Sequence, residues 1–119
     1  MTDLSPLASE QFCYLTTTGR TSGRPHEIEI WFGLNNEATL YILSGNGWTS
    51  DWVANLKINP SVTVRIADRT FNGTARVVSE PSEDALARRL LLQKYEPTYS
   101  GDLKEWGETA LPVAVDLAV

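Results

Sequence analysis

Thr16-Thr17-Thr18-Gly19-Arg20-Thr21-Ser22-Gly23-Arg24-Pro25-His26-Glu27-Ile28-Glu29-Ile30-Trp31-Phe32 reads as the end of one strand, a turn and a second strand. Gly19 and Gly23 give the turn backbone freedom, and Pro25 fixes the entry into extended chain. Beyond Pro25 the residues alternate, with Ile28, Ile30 and Phe32 on one face and Glu27, Glu29 and Trp31 on the other. The turn carries Arg20 and Arg24 beside Thr21 and Ser22. Two guanidinium forks, hydroxyls and free backbone N–H groups in so few residues suit an anion. Taken alone, the stretch reads slightly better as a solvated polar hairpin.

Outward from that hairpin, short strands with turn signals between them fill most of the chain. Phe12 to Thr18 is rich in aromatic and β-branched residues and forms the first strand, after a short arm or helical turn over the first ten residues. Asn35-Asn36-Glu37-Ala38 turns the chain into a third strand, Thr39 to Leu43, whose composition suits burial on both faces. It ends at Ser44-Gly45-Asn46-Gly47, where the glycines mark either a tight turn or a close approach of backbone to a flat ligand. Trp48 to Ile58 is a helix with Ser50 as N-cap and Asp51 in its first turn, stopped by Asn59-Pro60. Ser61 to Ala67 and Thr70 to Ser79 follow as a hairpin. Arg65 and Arg76 point outward there, within reach of Glu27 and Glu29 as a solvated or subunit-facing ladder. Ser82 to about Tyr95 is the second helix, with Leu86, Leu90 and Leu91 inward and Arg88 and Arg89 on its wet face. A helical turn around Trp106 precedes a last strand, Ala110 to Ala118. The tally is a mainly β (α+β) fold: a six-stranded antiparallel split β-barrel with two to three helices at the rim, one domain over residues 1–119.

Composition narrows the chemistry. A net charge of −5 and the absence of a long basic stripe argue against nucleic-acid binding. The longest apolar runs are too short to span a bilayer, and no signal peptide is visible, which points to a cytoplasmic protein. Cys13, the single cysteine, reads as a small core or interface residue, and the lone His26 as a hydrogen-bonded strand residue. No histidine or cysteine cluster provides a metal site. Nucleophile elbows, phosphate-binding P-loops and dinucleotide fingerprints are missing from the sequence.

The stretch Leu15-Thr-Thr-Thr-Gly-Arg-Thr-Ser-Gly-Arg-Pro25 resembles the Leu-Thr-Thr-x-Gly-Arg-x-Ser/Thr-Gly-x-Pro signature of the deazaflavin-dependent nitroreductase and quinone reductase family. These proteins belong to the flavin-reductase-like split barrels, with the pyridoxamine-phosphate oxidases. Trp52-Val-Ala-Asn-Leu-Lys-Ile-Asn-Pro60, Tyr95 to Tyr99 and Leu111-Pro-Val-Ala-Val115 resemble further family segments in the same order. The resemblance implies an oxidoreductase that passes hydride from reduced coenzyme F-420, a deazaflavin, to an electron-poor acceptor such as a quinone, nitro compound or enone. It places Arg20, Thr21, Ser22, Arg24 and His26 at the coenzyme's phosphate and acidic tail. Ser44, Gly45 and Asn46 would lie at the ring, with Trp52 and Asn55 on the helix bordering the site. Tyr95 and Tyr99 would wall the substrate side, one donating a proton. A homodimer is implied as well. Thr21 and His26 stand where relatives often carry cations, which keeps FMN as an alternative cofactor. A non-catalytic flavin- or haem-binding module is the alternative of another class.

Overall fold

A computed structural model describes residues 4–35 and 37–119. Met1 to Asp3, part of the expected N-terminal arm, and Asn36, part of the expected turn, lie outside the described residues. In chain order the elements are β1 (Cys13–Thr18), β2 (Pro25–Ile30), β3 (Gly33–Leu34), β4 (Thr39–Ser44), α1 (Asp51–Ile58), β5 (Ser61–Ile66), β6 (Arg69–Val77), α2 (Pro81–Tyr95), α3 (Lys104–Thr109) and β7 (Leu111–Leu117). The strands form one antiparallel sheet in the order β2-β1-β5-β6-β7-β4-β3. Among the described residues no helix is long and apolar enough to cross a membrane.

The split barrel expected from the sequence is present, with seven strands in place of six. The extra strand arises because the second strand does not run through to Phe32. It stops at Ile30, bends at Trp31 and Phe32, and resumes as β3 paired with β4 through Gly33 opposite Tyr41. β2 and β3 are therefore the two outer edges of the sheet, yet only two residues separate them. Three extended residue steps span at most ~11 Å, so the sheet must curl until its edges approach. That approach is the split.

Two apolar clusters hold this shape. The barrel interior contains Leu15, Phe32, Leu40, Ile42, Val64, Ile66, Val113 and Val115, closed by Val53 and Leu56 of α1. The second cluster lies where α2 covers the other face of β4 and β7, through Tyr41, Leu43, Ala87, Leu91, Tyr95 and Ala114. β4 is buried at every position, as a strand between two cores must be. Cys13 is fully buried and belongs to the barrel interior, where burial pushes its thiol up to about 12.

Helix limits follow local chemistry. α1 starts at Asp51, because Gly47–Thr49 forms a separate 3-10 turn and Ser50 is extended. α2 starts at Pro81, where the Glu80 carboxylate accepts the Ser82 and Glu83 N–H groups. The turn around Trp106 is a third short helix.

The charge pattern departs from expectation in two places. Arg65 lies 4.1 Å over the Tyr14 ring, and Tyr14 donates to Glu29 at 2.7 Å. Arg76 instead binds Glu83 and Asp116, at 2.6 and 2.9 Å. The sheet order explains this: β1 intervenes between β2 and β5, and β6 lies three strand spacings from β2, about 14 Å away. Arg88 is half-buried and not on a wet face, pairing with Asp84 at 2.6 Å and donating to the Gly107 carbonyl at 3.0 Å, which ties α3 to α2. Arg89 is exposed.

Candidate active site

The β1–β2 turn is built by its own backbone before any ligand is considered. Gly19 N–H donates to the Arg24 carbonyl at 2.8 Å, and Gly23 N–H to the Gly19 carbonyl at 2.9 Å. Gly23 sits at φ +71°, a conformation that residues with a Cβ rarely adopt. Ser22 Oγ accepts the Arg24 N–H at 3.2 Å and lies 3.5 Å from His26 Nε2.

One buried side chain then fixes the turn to α1. Asn55 Oδ1 accepts Arg20 N–H at 3.1 Å and the Arg20 guanidinium at 2.8 Å, while Asn55 Nδ2 donates to Thr17 Oγ1 at 3.1 Å. Both Asn55 and Thr17 are almost wholly buried, so this polar link is satisfied inside the protein. The outer end of the Arg20 guanidinium reaches Asp51, 3.2 Å from its carboxylate and 3.4 Å from its carbonyl. Here exposure is high, 41% for the Arg20 side chain and 89% for Asp51. The inner contact is rigid and the outer one is wet.

Between turn and helix runs an open groove of about 460 Å³, lined by Gly19, Arg20, Thr21, Ser22, His26, Glu27, Ile28, Asp51, Trp52 and Asn55, with Thr17 at its floor. The volume is in the range of small-molecule sites. Hydroxyls, an imidazole and a guanidinium face it from the turn, and Ile28 and Trp52 add apolar wall. β2 is also an edge strand, so alternate backbone N–H and C=O groups beside the groove have no ladder partner.

Of the residues expected at a cofactor, Arg20, Thr21, Ser22, His26, Trp52 and Asn55 come together in this groove. Arg24 is exposed next to it, and among the described residues its guanidinium has no hydrogen bond or ion pair. Ser44, Gly45 and Asn46 stand apart from the groove lining and act on it through α1. Ser44 Oγ lies 2.7 Å from Ser50 Oγ and donates to the Gly47 carbonyl at 3.0 Å, pinning the loop that leads into Asp51. Asn46 accepts from Thr49. Within this loop Gly47, at φ +58°, answers the tight-turn reading. Gly45 does not: an added Cβ would meet Trp106 Cδ1 at an ordinary 3.6 Å.

The tyrosines are placed differently from one another. Tyr95 is buried, with its hydroxyl accepting Phe32 N–H at 3.0 Å and donating to the Gln11 carbonyl at 2.8 Å. Burial pushes this phenol up to about 12. Lys94 donates to the Phe32 carbonyl at 3.0 Å, and burial lowers its ammonium to about 8. Together they satisfy the backbone at the β2–β3 bend, where no strand partner is available. Tyr95 thus faces the split as a structural clamp and does not open onto the groove. Tyr99, 46% exposed, meets the edge of Trp31 at 5.6 Å. Trp31 stacks on Tyr95 at 4.2 Å and touches Trp106 edge-on at 5.7 Å. Sequence reasoning did not find Asp51 and Glu27 as groove residues, nor Trp31 as the centre of an aromatic cluster. A tryptophan on the face shared with Glu27 and Glu29 was the available signal.

Comparison with known proteins adds the family. The family model of F420H(2)-dependent quinone reductase matches residues 5–118. An F420-H2 dependent reductase of known structure shares 22% identity with this chain, covering 91% of it and 94% of that protein, at a TM-score of 0.70. The haem storage protein HutZ of Vibrio cholerae superposes at TM-score 0.74 with 16% identity, over 99% of this chain and 92% of its own. An FAD-binding protein of Mesorhizobium loti gives 0.67 and 13%, over 95% and 85%. At these identities the likeness is one of fold, and the same barrel carries unlike ligands.

Proposed function

The chain belongs to the F420H(2)-dependent quinone reductase family, and we propose that it is an oxidoreductase passing hydride from a reduced deazaflavin to a quinone or similarly electron-poor acceptor. The observation that carries this reading is the convergence of Arg20, Thr21, Ser22, His26, Trp52 and Asn55 on one groove. A reduced deazaflavin held there would supply the hydride, so the site would need no acid–base dyad of its own. The chain's own residues bind, orient and shield. The hydroxyls and backbone N–H groups of Thr21 and Ser22 would donate to the phosphate of the cofactor's side chain, and Arg24 would supply the cation to meet it. Arg20, held by Asn55, keeps the turn at a fixed distance from α1. Trp52 and Ile28 would shield one flank of the ring from water. Gly45, unconstrained by the fold, leaves room for an approaching ring edge or acceptor beside Trp106. Tyr99 is the exposed phenol on that side and the candidate to meet the acceptor.

FMN is the second reading, and one observation favours it. Glu27 and Asp51 both line the groove, leaving little net positive charge for a polyacidic tail. The reading includes a cytoplasmic homodimer, with the uncovered face around Thr16, Thr63, Asn72 and Thr74 as the surface for a second copy. Anaerobic titration with reduced coenzyme F-420, then with a quinone, tests the activity. Oxidation of the bound cofactor only on quinone addition supports it. Binding with no oxidation by any quinone, nitro compound or enone would assign the protein to carriage or sensing.

A further inference from the structure

The Asp51 carboxylate occupies a place on Arg20 that suits an anion. Arg20 presents its guanidinium in two halves: one is bonded at 2.8 Å to the buried Asn55 and the other faces solvent, 3.2 Å from Asp51 Oδ1. A planar guanidinium fixed at one side by a neutral buried amide is pre-oriented for an oxyanion at the other. Asp51 is the first residue of α1 and is 89% exposed, so its side chain can swing into water without loss of packing. Exposed pairs of this kind are weak and easily replaced.

We infer that Asp51 is a specificity-determining placeholder: its carboxylate stands where an anionic oxygen of the ligand binds, and must be displaced from Arg20 for that ligand to seat. This rests on the cofactor reading of the groove and refines it. The displaced carboxylate stays at the groove wall, with Glu27 on the same wall. A side chain bearing one phosphate replaces one carboxylate and leaves the local charge tolerable. A tail with several further carboxylates meets Asp51 and Glu27 with nothing to offset them except the peripheral Arg24. The pair therefore favours a ring cofactor, deazaflavin or flavin, through its single phosphate and disfavours each further carboxylate on its tail. It also lowers the affinity of phosphate-bearing ligands relative to a groove lacking Asp51.

The test uses matched pairs that share a ring and differ in the side-chain anion: riboflavin against FMN, and the bare deazaflavin ring against coenzyme F-420. Each is titrated into the full chain by fluorescence, for the wild type, Asp51→Asn, Arg20→Gln and the double variant Arg20→Gln/Asp51→Asn, with thermal melts confirming that each variant is folded. Asp51→Asn is expected to raise the phosphate-bearing ligand's affinity relative to its partner by roughly three- to fivefold, the scale of one exposed ion pair. In Arg20→Gln/Asp51→Asn that gain disappears, because there is no guanidinium left to release. Rings that bind with the same ratio in the wild type and Asp51→Asn overturn the placeholder and leave the cofactor reading standing. If none of the four ligands binds, both fall.

Discussion

Among the described residues, two joints at which a helix reaches a neighbouring strand connection with a polar side chain are put to opposite use. At the β2–β3 bend, Tyr95 and Lys94 of α2 bond to the backbone of Phe32 inside a stack of aromatic rings. At the β1–β2 turn, Asn55 of α1 bonds to Arg20 and Thr17, and the turn's remaining donors look into an open groove. In each case buried backbone or side-chain groups must find partners, since an unmet one costs more than a made bond gains. At the bend the Tyr95 hydroxyl and the Lys94 ammonium are both spent on backbone groups of the fold. At the turn the backbone and the inner half of Arg20 are consumed, its outer half meets only the exposed Asp51, and the side chains of Thr21, Ser22 and Arg24 stay exposed. The same device therefore makes a lock in one place and a platform in the other.

The contrast is sharpest in substitutions that should separate stability from binding. Asn55→Leu removes the amide that holds turn to helix and strands Thr17 Oγ1 and the Arg20 N–H. A loss of about 2–4 kcal/mol in denaturant unfolding is expected, from two unmet groups at 1–3 kcal/mol each with partial rescue by water, together with loss of ring-cofactor binding. Tyr95→Phe keeps the ring and its stack on Trp31 but leaves Phe32 N–H and the Gln11 carbonyl unpaired. It should cost about 1–3 kcal/mol, with cofactor affinity unchanged in the folded fraction. If Tyr95→Phe instead abolished turnover at unaltered stability, the lock would be a catalytic group. Smaller still, Arg24→Ala should leave the melting curve unmoved and weaken FMN binding, while riboflavin is little affected.

The acid and alkaline limbs of stability report on other parts of the fold. Lys94 has its ammonium lowered to about 8 by burial, so the unfolded chain binds that proton more readily than the folded one. This group alone raises stability as pH climbs through about 8, an effect opposed above about pH 9 by the buried Cys13 thiol, whose folded value is about 12, and Lys94→Met should remove the rising part. Glu83 and Asp116 are held below the usual carboxylate range chiefly by hydrogen bonds from Arg76. Their contribution is present at neutral pH and fades as acid protonates them in the folded state, below about pH 4. Arg76→Met should raise the acid midpoint by a few tenths of a pH unit, scaled to one partly exposed network. Thermal melts across pH read both limbs.

Strand positions, the turn and both long helices were legible because apolar alternation and turn chemistry are local. The bend at Trp31–Phe32 was not, since alternation continues through both residues and nothing local announces that Phe32 changes strand partner. The burial of Tyr95 was hidden for a related reason. A phenol's role depends on its partner, and that partner, Phe32, lies 63 residues away. The groove residues of the turn were visible from their chemistry, whereas Asp51 read only as a carboxylate suited to a helix N-terminus. Its meeting with Arg20 requires α1 to pack on β1, which depends on Asn55 and the barrel core together. Arg76 failed as a partner for Glu27 because strand order, invisible in the sequence, sets it three strands away.

The most direct test of the groove as cofactor site is amide chemical-shift mapping during titration with coenzyme F-420 and with FMN. The account expects the largest shifts at Arg20 to Arg24 and at the Trp52 indole, with the Phe32 and Tyr95 amides nearly still. Shifts concentrated elsewhere on the barrel, with the β1–β2 turn silent, would contradict it.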